Sequence, residues 1–202
     1  MISPEWVSAI AESVTAVGVF LAFLQLRDAR EANRNNHEKA RREGAVQYGL
    51  VWTNSLTQYS SSASRLVDLL DPHECNEIVK RNAVAIPARH AVLLEGAFPP
   101  DTVFKNENGQ IHLTTAQAVH LRWTVVKYLN TLEVICSAWH AATVDRKTIE
   151  KQFRYLLEAR EGRSLLSNFR KAMGNEFFPA IDAFQDALEK AAEPPQPPDP
   201  IN

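Results

Sequence analysis

The chain is poor in the residue patterns that carry chemistry. Its two cysteines, Cys75 and Cys136, lie far apart and in no metal-binding or redox spacing, which fits free thiols in a reducing compartment. Its seven glycines form no phosphate-cradling loop, and neither His-Glu-x-x-His nor Gly-x-Ser-x-Gly occurs. No repeat is visible at a period of about 20 to 50 residues. Charge of one sign is also lacking. A net charge of −2 argues against a general nucleic-acid binder, which carries a strongly basic domain. No cofactor and no metal are expected, and nucleic acid is not an expected partner. What is present, 202 residues with 45% apolar and 23% charged side chains, suffices for one packed domain plus an appendage.

The appendage is N-terminal. Val7 to Leu26 reads VSAIAESVTAVGVFLAFLQL, twenty residues with one charge, Glu12. At ~1.5 Å per residue such a helix spans about 30 Å, the thickness of a bilayer's hydrocarbon core. Its insertion is marginal. Ten strongly apolar side chains contribute about −4 to −5 kcal/mol, and Glu12 alone costs about +2.5 to +3.5 before Ser8, Ser13, Thr15 and Gln25 are counted. A helix of that balance inserts better beside copies of itself. Ala11, Thr15, Gly18 and Ala22 share one face and allow close backbone approach in lipid, while Ser8, Glu12 and Thr15 form a neighbouring polar stripe. Glu12 then faces a helix interface or aqueous lumen, or else reaches the headgroups at the outer end. A cleaved signal peptide is disfavoured by the acidic start, Glu5, and by the direct passage of the apolar run into charge. A core helix of a soluble protein is the remaining alternative.

The flank sets the orientation. Arg27, Arg30, Arg34, Lys39, Arg41 and Arg42 follow the apolar run, which places the C-terminal side in the cytosol and the arginines against anionic headgroups. The expected fold is all-α: residues 1–44 a single transmembrane helix with a basic juxtamembrane stalk, 45–192 a cytosolic helical bundle, 193–202 a disordered Pro-rich tail. Gly44 and Gly49 suggest a bend. Helical spacing resumes over Val46–Leu70, and Asp71-Pro72 caps a short helix to about Lys80. A further short helix is expected from about Pro87 to Gly96. Residues 102–113, with Asn-Glu-Asn-Gly between TVFK and QIHL, suggest a small β-hairpin or an irregular loop. Thr114-x-x-Gln117 is a capping box for the longest cytosolic helix, about Thr115–Ala142, whose inward side is traced by Val119, Trp123, Val126, Leu129, Leu132 or Glu133, and Cys136. Asp145 caps a helix to about Ala159, and a last pair covers roughly Arg163–Met173 and Pro179–Ala192.

Three sets of residues merit a chemical reading. Asn130 and Glu133 stand in an otherwise apolar stretch and need hydrogen bonds, to a neighbouring helix or to a polar ligand. Glu133, Cys136 and His140 share a helical face compatible with metal ligation, although an ordinary bundle face explains them better. Arg30 and His37 match the Arg-x4–6-His spacing of HEPN ribonucleases, a match that chance supplies about once in this composition.

The plan as a whole, a membrane helix running into a basic helix and then a long helix carrying Tyr128-Leu-Asn-x-Leu-Glu133-x-Ile, resembles a bacterial family of small membrane-anchored helical proteins of unknown function. It also resembles the membrane accessory proteins of type VI-B CRISPR systems, which have a degenerate HEPN-like fold and assemble into pores. The resemblance implies a homo-oligomeric, non-enzymatic effector or accessory of an antiviral defence system. It would sit in the bacterial inner membrane, contact lipid, and answer a cytosolic protein or signal molecule. A membrane-tethered HEPN-like ribonuclease using Arg30 and His37, or a passive membrane scaffold for a cytosolic partner, are the alternatives.

Overall fold

Short-range signals set many of the element boundaries. A computed structural model describes the backbone of residues 4–157 and 165–192, and side chains from residue 18 onward except those of Val19, Leu157, Asn175 and Ala192. The fold is mostly helical, with one small sheet. The chain divides into two units between Glu43 and Gly44.

The first unit is the N-terminal part of α1 (Pro4–Ser55). From Gly18 to Glu43 every described side chain is exposed. Its polar section is supported along its own axis, by Arg34–Glu38 at 3.4 Å, Arg42–Glu38 at 3.9 Å and Lys39–Glu43 at 3.8 Å, each pair four residues apart.

In the second unit the end of α1 joins a packed body. Ala45 and Trp52 are buried, and Trp52 meets Tyr128 and Phe153 edge-on at 4.9 and 5.7 Å. Gly44 and Gly49, expected as a bend, lie inside the continuous α1. A Cβ on Gly44 would stand 3.3 Å from Val144, and one on Gly49 3.4 Å from Gln152. Their smallness therefore serves close packing. The expected single helix over Val46–Leu70 is two, the end of α1 and α2 (Ser60–Asp68). The Ser60 hydroxyl accepts from the Thr57 amide at 2.9 Å and bonds the Thr57 hydroxyl, so side chains replace the helical ladder there.

Next come α3 (Pro72–Val79), β1 (Val84–Pro87), a 3-10 turn over Ala88–His90 and α4 (Ala91–Ala97). The Asp71 carboxylate accepts from the Glu74 amide while Glu74 accepts from that of Asp71, with Pro72 where no amide is needed. The β-hairpin is present as β2 (Lys105–Glu107) and β3 (Gln110–Leu113). Asn108 and Gly109 both have positive φ, 52° and 77°, the two-residue turn whose twist suits adjacent strands. The sequence did not suggest β1, which pairs antiparallel with β3 in the order β1-β3-β2. Val84, Ile86, Ile111 and Leu113 bury one face of the sheet.

α5 (Thr115–His140) begins at the Thr114–Gln117 capping box and runs through the centre, packed on α2, α3, α6 and α8. The expected inward face needs correction. Leu129, Leu132 and Cys136 are fully buried as expected, but Val119 and Trp123 are exposed, and Leu121, Val125 and Ile135 are fully buried as well. A helix covered by several neighbours buries more than one stripe, so a single periodicity misleads. α6 (Arg146–Leu157) starts where the Asp145 carboxylate accepts from the Thr148 amide and hydroxyl at 2.8 and 2.6 Å. α7 (Ser167–Met173), a 3-10 turn over Asn175–Phe177 and α8 (Pro179–Ala192) complete the unit. The expected tail, 193–202, and the expected helix ends at 158–164 lie outside the described residues.

Among the described residues no helix is long and apolar enough to cross a membrane. The expected span, Val7–Leu26, is helical, but the side chains of its first eleven residues lie outside the described ones.

Candidate functional site

Two surfaces stand out, one in each unit. In the first, Phe20, Leu21, Phe23, Leu24 and Leu26 are all exposed, Phe20 at 61% and Phe23 at 63%. Successive residues turn by about 100° on a helix, so these five point all round the axis rather than to one side. Arg27, Arg30, Arg34, Arg41 and Arg42 follow, all exposed, with Asp28, Glu31, Glu38 and Glu43 among them. The run is thus basic only in excess. Of the small-residue face, Gly18 and Ala22 are exposed, and a Cβ on Gly18 would meet nothing within 4 Å. Ser8, Ala11, Glu12 and Thr15 lie outside the described side chains.

Arg30 and His37 are exposed on this same helix, two turns apart. Arg30 borders an open concavity with Glu31, Arg34, Asn35 and Glu38, and both Arg30 and His37 are solvated.

In the second unit the structure separates Asn130 from Glu133. Asn130 is exposed. The Glu133 carboxylate accepts from the backbone amides of Ala180 at 2.8 Å and Ile181 at 3.0 Å, so a side chain of α5 caps the first turn of α8. That occupies Glu133 structurally. Cys136 is buried beside it, and burial, with the Glu133 charge, pushes its thiol up to about 12 against the opposing pull of Arg170. His140, the third member of that face, is exposed. Among the described residues no group of three or more His, Cys, Asp or Glu is placed to hold a metal ion. Cys75 is fully buried and likewise raised to about 12 by burial and neighbouring acids. Neither thiol is set up as a nucleophile.

Sequence reasoning missed the network that holds α7 to α8. Arg170, buried, bonds the carboxylate of Asp182, donates to Gln185 Oε1 at 2.7 Å and donates to the Leu165 carbonyl at 3.0 Å. No local pattern signals it, because its side-chain partners, Asp182 and Gln185, are twelve and fifteen residues away in α8. His90 ends the 3-10 turn that precedes α4. It is buried and accepts at Nε2 from Arg89 Nε at 3.1 Å; burial first, then the Arg89 charge, lowers its pKa, opposed by Glu74.

The second surface is the solvent side of α5. Trp123 is 60% and Val134 54% exposed, with Val119 beside them, and the Lys127 ammonium lies 5.6 Å from the Trp123 ring centre. No family model matches the chain, and no curated protein or solved structure proves similar to it.

Proposed function

We propose that the protein is a membrane-anchored, homo-oligomeric effector, with the apolar start of α1 in the bilayer and the packed unit on the cytosolic side. The observation that carries the reading is the uncovered apolar collar of Phe20, Leu21, Phe23, Leu24 and Leu26. A helix that is apolar on all sides requires an apolar surrounding, and among the described residues these five side chains stand exposed. Gly18 to Leu26 gives only about 14 Å of helix. The span is completed by Val7–Val17, whose sequence continues the apolar run. The arginines that follow favour the cytosolic orientation.

The near-zero insertion balance and the open Gly18–Ala22 face both favour association of membrane helices. Resemblance to the membrane accessories of type VI-B CRISPR systems supplies the biological role. In this reading the packed unit receives a cytosolic signal or partner, and the assembled helices perturb the inner membrane or conduct ions.

Sizing of the full chain in mild detergent, together with the membrane potential of expressing cells, tests the proposal. A multimer that lowers the potential is the expected result. A stable monomer without effect on the potential overturns it.

A further inference from the structure

We propose that residues 193–202, acidic and rich in proline, dock on the basic face of α6. In α6 four bases stand against one acid, Glu150, whose Oε1 already accepts from the Trp139 indole at 2.9 Å. Arg146 is fixed on the same ring, 5.2 Å from its centre, and donates to the carbonyls of Trp139 and His140 at 3.0 and 2.8 Å. Lys147, Lys151 and Arg154 recur at i, i+4 and i+7, so they share one face, and all three are exposed around an open concavity of about 310 Å³. Among the described residues the ion pairs include neither lysine. Tyr155, 55% exposed, stands one turn beyond Lys151 on the same side.

The occupant follows from charge and from where α8 ends. Glu133 of α5 holds the start of α8, and Trp139, nearly two turns further on, meets Phe184 edge-on at 4.6 Å, so the two helices run side by side in one direction. Trp139 also carries the first turns of α6 through Arg146 and Glu150, and α6 packs on α8. The end of α8, about 12 Å beyond Phe184, therefore lies on the side of the unit where α6 begins. Residues 193–202 continue from there with Glu193, Asp199 and no base, whereas 158–164, following α6, balance two acids with two bases. At the ~3.1 Å rise of polyproline these ten residues, five of them proline, reach about 30 Å. Lys147 to Arg154 is only about 10 Å of helix. Proline-rich segments bind surfaces that offer an aromatic ring, here Tyr155. The tether holds the acids near α6 at an effective concentration on the order of millimolar. An anionic partner has to displace the segment before it reaches α6.

Carbodiimide coupling of the full chain in mild detergent tests the docking. It joins a carboxylate to an ammonium as an amide, the reagent taking up the water released, and adds no spacer, so only groups in contact are linked. Mass spectrometry of the digest is expected to find Asp199 joined to Lys147 or Lys151. Glu193 is the poorer reporter, since Lys190 stands only three residues before it. Mixed chains of light and heavy nitrogen show whether both ends of a link belong to one chain, and same-chain links are expected, whether or not the chain forms multimers. In about 1 M salt, where charges are screened beyond about 3 Å, the yield should fall several-fold. Lys147→Glu, at an exposed position, should lower the Asp199–Lys151 yield several-fold as well. Links only between copies, equal yields from Asp199 to Lys105, Lys127 or Lys171, no link at all, or a yield indifferent to salt and to Lys147→Glu would each overturn the docking.

Discussion

Gly18–Glu43 and Gly44–Ser55 are consecutive parts of one helix, held by different physics. In the first every described side chain is exposed, and stabilisation comes from helix propensity and from i,i+4 ion pairs such as Arg34–Glu38. In the second, Ala45 and Trp52 enter a core shared with Tyr128 and Phe153, and glycines admit close neighbours. Secondary structure alone therefore says little about surroundings. The uncovered apolar collar of the first part is unexplained by the fold, while every apolar side chain of comparable size in the core is accounted for by contacts.

The sharpest way to break this contrast is a matched pair of truncations. Phe169→Ala, at a fully buried site, should cost about 3–5 kcal/mol of unfolding free energy. Phe23→Ala, at a 63% exposed one, should change it by under about 0.5 kcal/mol. Denaturant unfolding followed by tryptophan fluorescence in one detergent measures both. Equal losses would mean that the collar packs on protein.

The Glu133 cap of α8 comes next. Glu133→Ala strands the amides of Ala180 and Ile181 and should cost about 1.5–3 kcal/mol, with Glu133→Gln losing less because one acceptor oxygen remains. Calorimetry that shows no loss in the alanine variant would reduce the cap to an incidental contact.

A smaller effect concerns pH. His90 has its pKa lowered from the ordinary 6.5, so the fold favours its neutral form. The unfolded chain binds more protons below that value, and stability present above pH 6.5 is lost as the pH falls. Protonation at Nε2 would also set an N–H against the Arg89 donor. Unfolding measured from pH 7.5 to 5 should decline less steeply in His90→Gln than in the parent chain, and identical slopes would remove His90 from the explanation.

The smallest effect belongs to the solvated part of α1. Glu38→Gln removes two ion pairs worth roughly 0.3–0.5 kcal/mol each. Helicity by circular dichroism should fall slightly in low salt and match the parent at high salt. A loss that persists in high salt would point to contacts other than charge.

Much of the fold was legible where the signal is local. Asp71 with Glu74, Thr114 with Gln117, Asp145 with Thr148, and Asn108-Gly109 each act within four residues, and each marks a boundary that the structure contains. Strand β1 was not legible. Its two buried residues, Val84 and Ile86, gain meaning only from β3, more than twenty residues on. The inward face of α5 was legible at Leu129, Leu132 and Cys136 and misread at Val119 and Trp123, because several elements cover the helix. Of the candidate residues, Glu133 was visible as a polar intruder, but its role depends on the distant start of α8. The Arg170 network depends on the same helix and left no local trace.

The central claim is that the apolar start of α1 is held in a membrane, and alkaline-carbonate extraction of membranes from expressing cells tests it most directly. Retention of the full chain in the membrane pellet is the expected result. Release into the soluble fraction would contradict it, making the collar of Phe20 to Leu26 a contact for protein instead of lipid.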